Sequence, residues 1–331
     1  QDAYKAHVAR MFRFLDYEPA KAEAVAKDIY ALEKRMASAM FTKEERRDLS
    51  LQNNPRSIDQ VKELVPAFNW DQYFSGIGIP ALDTVIVMQL KYMEEMNGIL
   101  GDTDIATLKE YIKWSQFNQW SAFLNSEIEK ANFDFYYTEL DGIPEMKPRD
   151  ESVLGVLNNQ LGEALGKLYV DEYFPPEAKA IALDMVENLK LAFGERIRNL
   201  DWMSDTTKQK ALDKLEAFNV KIGYPDKWKD YSKLEIRGPD EGGTYISNMI
   251  NYWKWIWEED LGKMDEPVDK SEWHLPPQVV NAYYSPLFNE IVFPAAILQP
   301  PFYNYRADPA VNFGGLGLSL IHISEPTRLK T

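Results

Sequence analysis

Histidines, acidic residues and nucleophiles are the residues of this sequence that could perform chemistry, and they are widely scattered. The only histidines are His7, His274 and His322. A zinc site normally needs three or four ligands drawn from His, Cys, Asp and Glu. This spacing therefore predicts surface histidines rather than a metal site formed by this chain alone. The sequence also has no cysteine, which excludes disulfides, thiolate ligands and a cysteine nucleophile.

Other motifs of catalysis and ligand binding are absent or favour an ordinary structural role. The sequence contains no Gly-x-Ser-x-Gly elbow and no phosphate-binding Gly-Lys-Ser/Thr loop. Glu94 and Glu95, like the acidic residues at 258–260, are neighbours on predicted helices and point in different directions, which favours solvated faces. The aromatic run YWKWIW at 252–257 has helical spacing, which favours packing over a sugar-stacking surface. The glycines of GGLG at 314–317 predict a close approach of backbone to backbone.

One long stretch, NAYYSPLFNEIVFPAAILQPPF at 281–302, has few reactive side chains but a distinctive pattern. It predicts a β-hairpin of the strands VVNAYYS (279–285) and EIVFPAAI (290–297), joined by a turn at PLFN. If the first strand lies at the edge of a sheet, its unpaired backbone groups and the Asn281 amide could bind an extended peptide. The pattern equally allows a hairpin that is paired only within its own sheet.

The elements that would position this hairpin are mostly predicted to be helical. Up to about residue 217 the apolar residues recur at helical spacing, so the predicted fold class is mainly α. The long helix predicted from residue 175 has an apolar stripe of Ile181, Met185, Leu189, Phe193 and Ile197. TVIVMQ at 84–89 predicts an isolated strand, and TKEE at 42–45 has the form of a capping box. A helix at 245–262 is predicted to have one broad apolar face, formed by Ile246, Met249, Ile250, Trp253, Ile256 and Trp257.

Length and composition limit the classes of protein to consider. A chain of 331 residues predicts two structural units, because single cores rarely grow beyond roughly 250 to 300 residues. The net charge of −15 disfavours nucleic acid and anionic membrane surfaces as partners. No window approaches the ~20 apolar residues of a membrane span, and the first residues lack the apolar core of a signal peptide. Because the chain starts at Gln1 without Met, we expect a processed or cut N-terminus.

Five blocks of the sequence, taken in order, carry a resemblance to a known family. The blocks are LDWMSDTTKQKALDKL at 200–215, IGYPDKW at 222–228, VDKSEW at 268–273, the stretch at 281–302, and DPAVNFGGLG at 308–317. Together they resemble the neprilysin-like zinc metallopeptidases, the neprilysin and endothelin-converting-enzyme family, and a bacterial member in particular. The 281–302 block is the most specific, and a weaker helical similarity extends back to the N-terminus.

The resemblance implies a large helical domain followed by the beginning of a thermolysin-like α/β catalytic domain, with the hairpin near the C-terminus. It implies that Asn281 and the backbone of Ala282 bind the main chain of a peptide substrate beside the scissile bond. It also implies that Ile297 and Phe302 line an apolar pocket for the side chain just after that bond. The expected partner is an oligopeptide, and the expected cofactor of the full-length enzyme is zinc.

In that family, a helix after the block matched by NFGGLG carries His-Glu-x-x-His, whose histidines lie on one helical face and share a zinc ion. This sequence instead reads LSLIHISEPTRLKT from residue 318. His322 is in the register of the first zinc histidine, but Ile323 replaces the catalytic glutamate and Pro326 replaces the second histidine. Isoleucine neither binds zinc nor accepts a proton, and proline disrupts a helix. We therefore expect no zinc on this chain and predict no catalytic residue in it.

The same tail resembles, residue by residue from Leu318 to Arg328, the translation of a transposase adapter used in sequencing libraries. In that case His322 is accidental. We therefore predict three regions. Residues 1–217 form an N-terminally truncated helical domain that roofs a substrate cavity, residues 218–317 form a linker and the first part of the catalytic domain, and residues 318–331 form a non-native tail.

Two functions stay open at this point. The first is a fragment of a zinc metalloendopeptidase that cleaves oligopeptides before hydrophobic residues, with this chain itself inactive because His-Glu-x-x-His is absent. The alternative is a non-catalytic peptide-binding or interaction module of the same fold. For the first, the resemblance implies a location in the periplasm or at the cell surface.

Overall fold

Helices dominate the computed structural model, which describes residues 1–79 and 81–323. The α-helices are α1 (Asp2–Arg13), α2 (Pro19–Ala39), α3 (Leu49–Gln52), α4 (Ile58–Leu64), α5 (Trp70–Gly76), α6 (Leu90–Asp102), α7 (Ile105–Trp120), α8 (Ser126–Phe133), α9 (Arg149–Gln160), α10 (Gly162–Tyr173), α11 (Pro176–Arg198), α12 (Asp205–Glu216), α13 (Tyr245–Gly262) and α14 (Pro309–Ile323). The strands are β1 (Pro55–Ser57), β2 (Thr84–Ile86), β3 (Asn219–Gly223), β4 (Tyr283–Ser285) and β5 (Glu290–Pro294). The mainly α fold class is confirmed.

The chain forms two compact units. The first comprises Gln1–Met146 and Ile236–Leu261, and the second comprises residues 147–235 and 262–323. Neither boundary between these units falls at residue 217. The reason is that β3 pairs with β5, which brings the end of the helical region into the unit that contains the hairpin. The predicted boundaries at 217 and 317 concern the domains of the family and stay a prediction.

The first unit is built around the packing of α1 against α2. Ala22 and Ala26 of α2 are fully buried, and side chains of this size let neighbouring helices approach closely. Trp114 of α7 is buried in the same core, and its indole N–H donates to Glu33 Oε1 at 3.1 Å. The core is completed by Val8, Ala9, Met11, Phe12, Ile29, Ile128 and Ala131.

Two local predictions in the first unit are confirmed, each with an addition. The strand predicted in TVIVMQ exists as β2, but it is paired antiparallel with β1 rather than isolated. The capping box forms as well: the Thr42 N–H donates to Glu45 Oε2 at 2.7 Å, and the Glu45 N–H donates to Thr42 Oγ1 at 3.2 Å. It begins only a short 3₁₀ turn, Glu45–Arg47.

The apolar face predicted for α13 is only partly the face that is buried. Met249 is buried as expected, but Trp255, which lies off that face, is the other buried residue of the helix. Trp253 and Trp257 are 48% and 40% exposed. Apolar residues occur all around this helix, so periodicity establishes that it is a helix but not which side faces the core.

The core of the second unit lies between α10, α11 and the sheet that contains β3 and β5. α11 begins with Pro176 at its first position, as the proline pair predicts. Met185 and Ile197 of its predicted stripe are buried, whereas Ile181 is 37% exposed. The buried face runs instead through Ala178 and Ala182, because small side chains are needed where the helix packs closely. Within the described ranges, no helix is long and apolar enough to cross a membrane.

Candidate functional site

The three-stranded sheet of the second unit has the order β3-β5-β4. β3 runs parallel to β5, with Ile222 opposite Phe293, and β4 runs antiparallel to β5, with Tyr284 opposite Ile291. β5 is buried along its whole length, as expected for the central strand of a covered sheet. β4 is therefore an edge strand, which is the arrangement that peptide binding by this hairpin requires.

The hairpin itself is confirmed, and its turn is stabilised by Asn289. This residue has a positive φ of 49°, a conformation that asparagine tolerates better than most residues. Its side-chain amide donates to the Lys214 carbonyl oxygen at 2.8 Å, and its Oδ1 accepts from the Tyr284 hydroxyl at 3.3 Å. The turn is thus connected both to β4 and to the end of α12.

The strands are shorter than predicted, and this changes the place of two candidate residues. Asn281 and Ala282 precede β4 instead of lying in the middle of a strand. The Asn281 N–H donates to the Val279 carbonyl oxygen at 2.9 Å, which turns the backbone away from the extended path. Asn281 is exposed, and its Oδ1 accepts from the Ala282 N–H at 2.8 Å. Both residues therefore lie at the beginning of the edge strand.

The two candidate pocket residues lie beyond β5. Ile297 is half-buried and packs against the core of the second unit, as does Ala282. Phe302 is 44% exposed, and its N–H donates to the Gln299 carbonyl oxygen at 3.0 Å. The structure thus brings Ala282 and Ile297 to one core, with Asn281 adjacent in the chain, while Phe302 is partly exposed to solvent.

α14 supports the segment that carries Phe302. Asn312, which is 4% exposed, accepts from the Asn304 N–H and donates to the Asn304 carbonyl oxygen, both at 2.9 Å. One turn later, a Cβ built on Gly315 would lie only 2.6 Å from the Phe302 carbonyl oxygen. The predicted close approach of backbone to backbone at GGLG is confirmed, and it requires glycine at this position.

Sequence reasoning missed a buried polar cluster in the same sheet. Lys221 Nζ of β3 lies 2.7 Å from Glu290 Oε2 of β5, and the two side chains are 7% and 0% exposed. The Tyr283 hydroxyl of β4 donates to Glu290 Oε1 at 3.4 Å. The available signal was a single charged residue in each of two short, mostly apolar strands, NVKIG and EIVFP.

Two of the three histidines can be compared with the prediction of surface positions. It is confirmed for His274, which is exposed, but it is wrong for His7. His7 is 2% exposed and stacks on Phe135 with ring centroids 4.6 Å apart. Burial, and then the nearby Arg10 charge, lowers the pKa of His7 to about 4, so its ring is neutral. The His322 side chain and the tail from residue 324 lie outside the described residues.

Comparison with known families identifies the class of protein. The amino-terminal model of peptidase family M13 matches residues 1–225, and a second model of family M13 matches residues 281–325. The chain therefore belongs to peptidase family M13, and the predicted neprilysin-like zinc metalloendopeptidase family is confirmed. The second match runs past Gly317 into the segment predicted to derive from an adapter, and the origin of that segment stays a prediction.

Individual relatives agree with this assignment. Endothelin-converting enzyme 1 of Homo sapiens is 30% identical over 301 residues, which cover 89% of this chain and 39% of that relative. Endothelin-converting enzyme-like 1 of Mus musculus is 32% identical over 333 residues, covering 97% of this chain and 42% of that relative. The chain thus spans about two fifths of the length of these relatives.

Solved structures show the same fold. The zinc metalloprotease Zmp1 of Mycobacterium tuberculosis in complex with an inhibitor matches with a TM-score of 0.90 at 36% identity, over 98% of this chain and 49% of that one. PepO from Lactobacillus rhamnosis matches with a TM-score of 0.86 at 26% identity, over 98% of this chain and 51% of that one.

The family uses zinc, but the side chains described for this chain do not fit the ion. Across residues 1–79 and 81–317, no group of three or more His, Cys, Asp or Glu side chains is arranged to hold a metal. The buried His7 is enclosed by aromatic rings, and His274 lies next to Phe288 with ring centroids 5.8 Å apart. These residues cannot supply the ligand set of a catalytic zinc site.

Proposed function

We propose that this chain provides the peptide-binding edge strand of a zinc metalloendopeptidase of family M13. The observation that carries the proposal is the position of β4 at the edge of the sheet. An edge strand presents unpaired N–H and C=O groups to which an extended peptide can add as a further strand. Membership in a peptidase family supports oligopeptides as the class of ligand.

Four residues would make the contacts. The Asn281 amide and the Ala282 backbone would bind the peptide main chain, and the hydrogen bond between them would be exchanged for bonds to the peptide. Ile297 and Phe302 would receive the hydrophobic side chain that follows the scissile bond. The exposure of Asn281 and of Phe302 supports these roles, because both residues are accessible to a ligand.

In the complete enzyme, this strand would hold peptides for zinc-dependent cleavage before hydrophobic residues, in the periplasm or at the cell surface. For the 331-residue chain we expect binding without hydrolysis, since none of its three histidines belongs to a His-Glu-x-x-His motif. A non-catalytic peptide-binding module of the same fold would share the binding step. It would differ in that the complete protein would bind the peptide without cleaving it.

The proposal can be tested by fluorescence anisotropy with a fluorescein-labelled oligopeptide that has a central phenylalanine. The wild-type chain should bind the peptide saturably, and Asn281→Ala should raise the Kd about 3- to 10-fold, as expected for the loss of one or two hydrogen bonds. Asn188→Ala is the matched control, because Asn188 is an exposed asparagine on α11 whose side chain bonds only to Asp184 among the described residues.

The outcomes separate binding from catalysis. Absence of saturable binding by the wild-type chain would contradict the proposal, and so would an equal loss of affinity in both variants. Hydrolysis is followed separately by chromatography of the unlabelled peptide in the presence of added zinc. Cleavage that depends on zinc and is lost on chelation would show that the 331-residue chain is not inactive.

A further inference from the structure

A buried ion pair connects two strands next to the proposed peptide-binding edge. Besides its contact with Glu290, Lys221 Nζ donates to the Glu272 carbonyl oxygen at 2.7 Å. The Asn219 side-chain amide donates to Glu290 Oε2 at 3.2 Å and also to the Lys270 carbonyl oxygen at 3.2 Å. Both charges are therefore enclosed by polar partners and not by solvent.

The second carboxylate oxygen of Glu290 contacts the edge strand. The Tyr283 hydroxyl donates to it in a long hydrogen bond of 3.4 Å. Burial, and then the Glu290 charge, raises the pKa of Tyr283 to about 12, so the hydroxyl keeps its proton. Glu290 thus contacts β3 through one oxygen and β4 through the other.

Tyr283 is the first residue of β4 and lies two residues after Asn281. Its Cα is paired with that of Val292, so its side chain crosses diagonally along the sheet to reach Glu290. We propose that Glu290 is a positioning residue for the peptide-binding edge: by holding Tyr283 to a side chain anchored on Lys221 and Asn219 of β3, it sets where Asn281 lies. This inference rests on the proposed function for the identity of the ligand, but the anchoring of β4 can be tested without any ligand.

A purely stabilising role explains this cluster less well. A buried ion pair contributes little net stability, because the desolvation of both charges offsets most of their attraction, and apolar replacements of similar volume are often tolerated. A buried carboxylate does, however, require its donors at defined positions. Here those donors come from both neighbouring strands, so the carboxylate favours one placement of β4 over shifted ones.

The first test compares two single substitutions in the full chain. Tyr283→Phe removes the hydroxyl that contacts Glu290 and leaves the ring in place. Tyr169→Phe is the matched control, because Tyr169 is a half-buried tyrosine of α10 that packs against the same core but lies outside the hairpin. In Tyr283→Phe we expect the amide hydrogen-exchange rates of residues 283–285, measured by NMR, to rise about fivefold. The Kd of the labelled peptide should rise by a similar factor. Both should stay within about twofold of wild type in Tyr169→Phe.

A second pair of variants tests the Glu290 side chain itself without leaving a single unpaired buried charge. Lys221→Met with Glu290→Gln, and Lys221→Met with Glu290→Leu, both remove the buried charges at similar side-chain volume. Only the first keeps an acceptor for the Tyr283 hydroxyl. We expect the glutamine variant to resemble wild type in exchange and affinity, and the leucine variant to resemble Tyr283→Phe.

Each outcome decides one part of the inference. Unchanged exchange at residues 283–285 in Tyr283→Phe would overturn it, whatever the peptide does. Faster exchange with an unchanged peptide Kd would also overturn it, because Glu290 would then be structural only. If the wild-type chain binds no peptide, the proposed function fails and the ligand part of the inference fails with it, whereas faster exchange would still support the anchoring of β4.

Discussion

The close approach of α14 to the backbone at Phe302 makes the substitution Gly315→Ala especially informative. A Cβ at this position would lie 2.6 Å from the Phe302 carbonyl oxygen and 3.5 Å from the carbonyl carbon. The obstructing atom belongs to the backbone, so it cannot rotate away as a flexible side chain could. We therefore expect the substitution to displace the segment that carries the proposed pocket residue Phe302.

Substitution of the neighbouring Gly314 provides a reference for the change in stability expected at Gly315. Replacing a glycine inside a helix by alanine ordinarily stabilises by about 1 kcal/mol, and Gly314→Ala should show this gain because nothing lies within 4 Å of its Cβ position. At Gly315 the same gain is opposed by an overpacking cost of about 1–3 kcal/mol. Gly315→Ala should thus range from neutral to destabilising by about 2 kcal/mol, with the difference between the two variants reporting the contact.

The assay should be local, because a chain with two compact units need not unfold in one step. Hydrogen exchange with mass-spectrometric detection, read for peptides that cover β5 to Phe302 and the first half of α14, compares the two variants directly. The labelled-peptide Kd provides a functional readout. It should rise in Gly315→Ala and stay unchanged in Gly314→Ala.

Equal protection in the two variants would refute the proposed contact between Gly315 and the Phe302 backbone. That result would mean that the Phe302 carbonyl moves freely or is not held against α14. Reduced protection together with an unchanged Kd would retain the packing argument but reject the assignment of Phe302 to the peptide pocket.

Two further predictions concern the cores of the two units. Because the pKa of the buried His7 is about 4, below its ordinary value of 6.5, the unfolded state binds a proton that the folded state excludes. The contribution of neutral His7 to the free energy of unfolding of the first unit should therefore be constant above pH 6.5 and decrease as the pH falls toward 4. The urea midpoints at neutral pH and at about pH 4.5 should differ less in His7→Phe than in wild type. In the second unit, a Cβ on Gly166 would lie 2.5 Å from Pro277 Cδ, so Gly166→Ala should destabilise by about 1–3 kcal/mol. Gly155→Ala is the control, because nothing lies within 4 Å of its Cβ position, and it should stabilise α9 by about 1 kcal/mol in the same urea titration. Equal urea midpoints for Gly166→Ala and Gly155→Ala would contradict this prediction.

Local sequence patterns were sufficient for a large part of the fold. Helical periodicity predicted α11, and the alternation around a turn-forming Asn289 predicted the hairpin of β4 and β5. The glycines at 314–317 predicted the close approach that Gly315 makes. These features depend on residues close together in the chain, so a single sequence contains the information for them. The ordered blocks from residue 200 to 317 also predicted the family, which the comparisons confirm.

Tertiary contacts decided the features on which the proposed function depends. The edge position of β4 follows from the pairing of β5 with β3, and Asn219 and Glu290, which meet in that sheet, are 71 residues apart in the chain. The burial of His7 likewise depends on Phe135, a residue of another segment of the first unit. Periodicity reports which side of an element is apolar. It does not report which distant element covers that side, because packing free energy depends on the three-dimensional arrangement and not on the local spacing of residues.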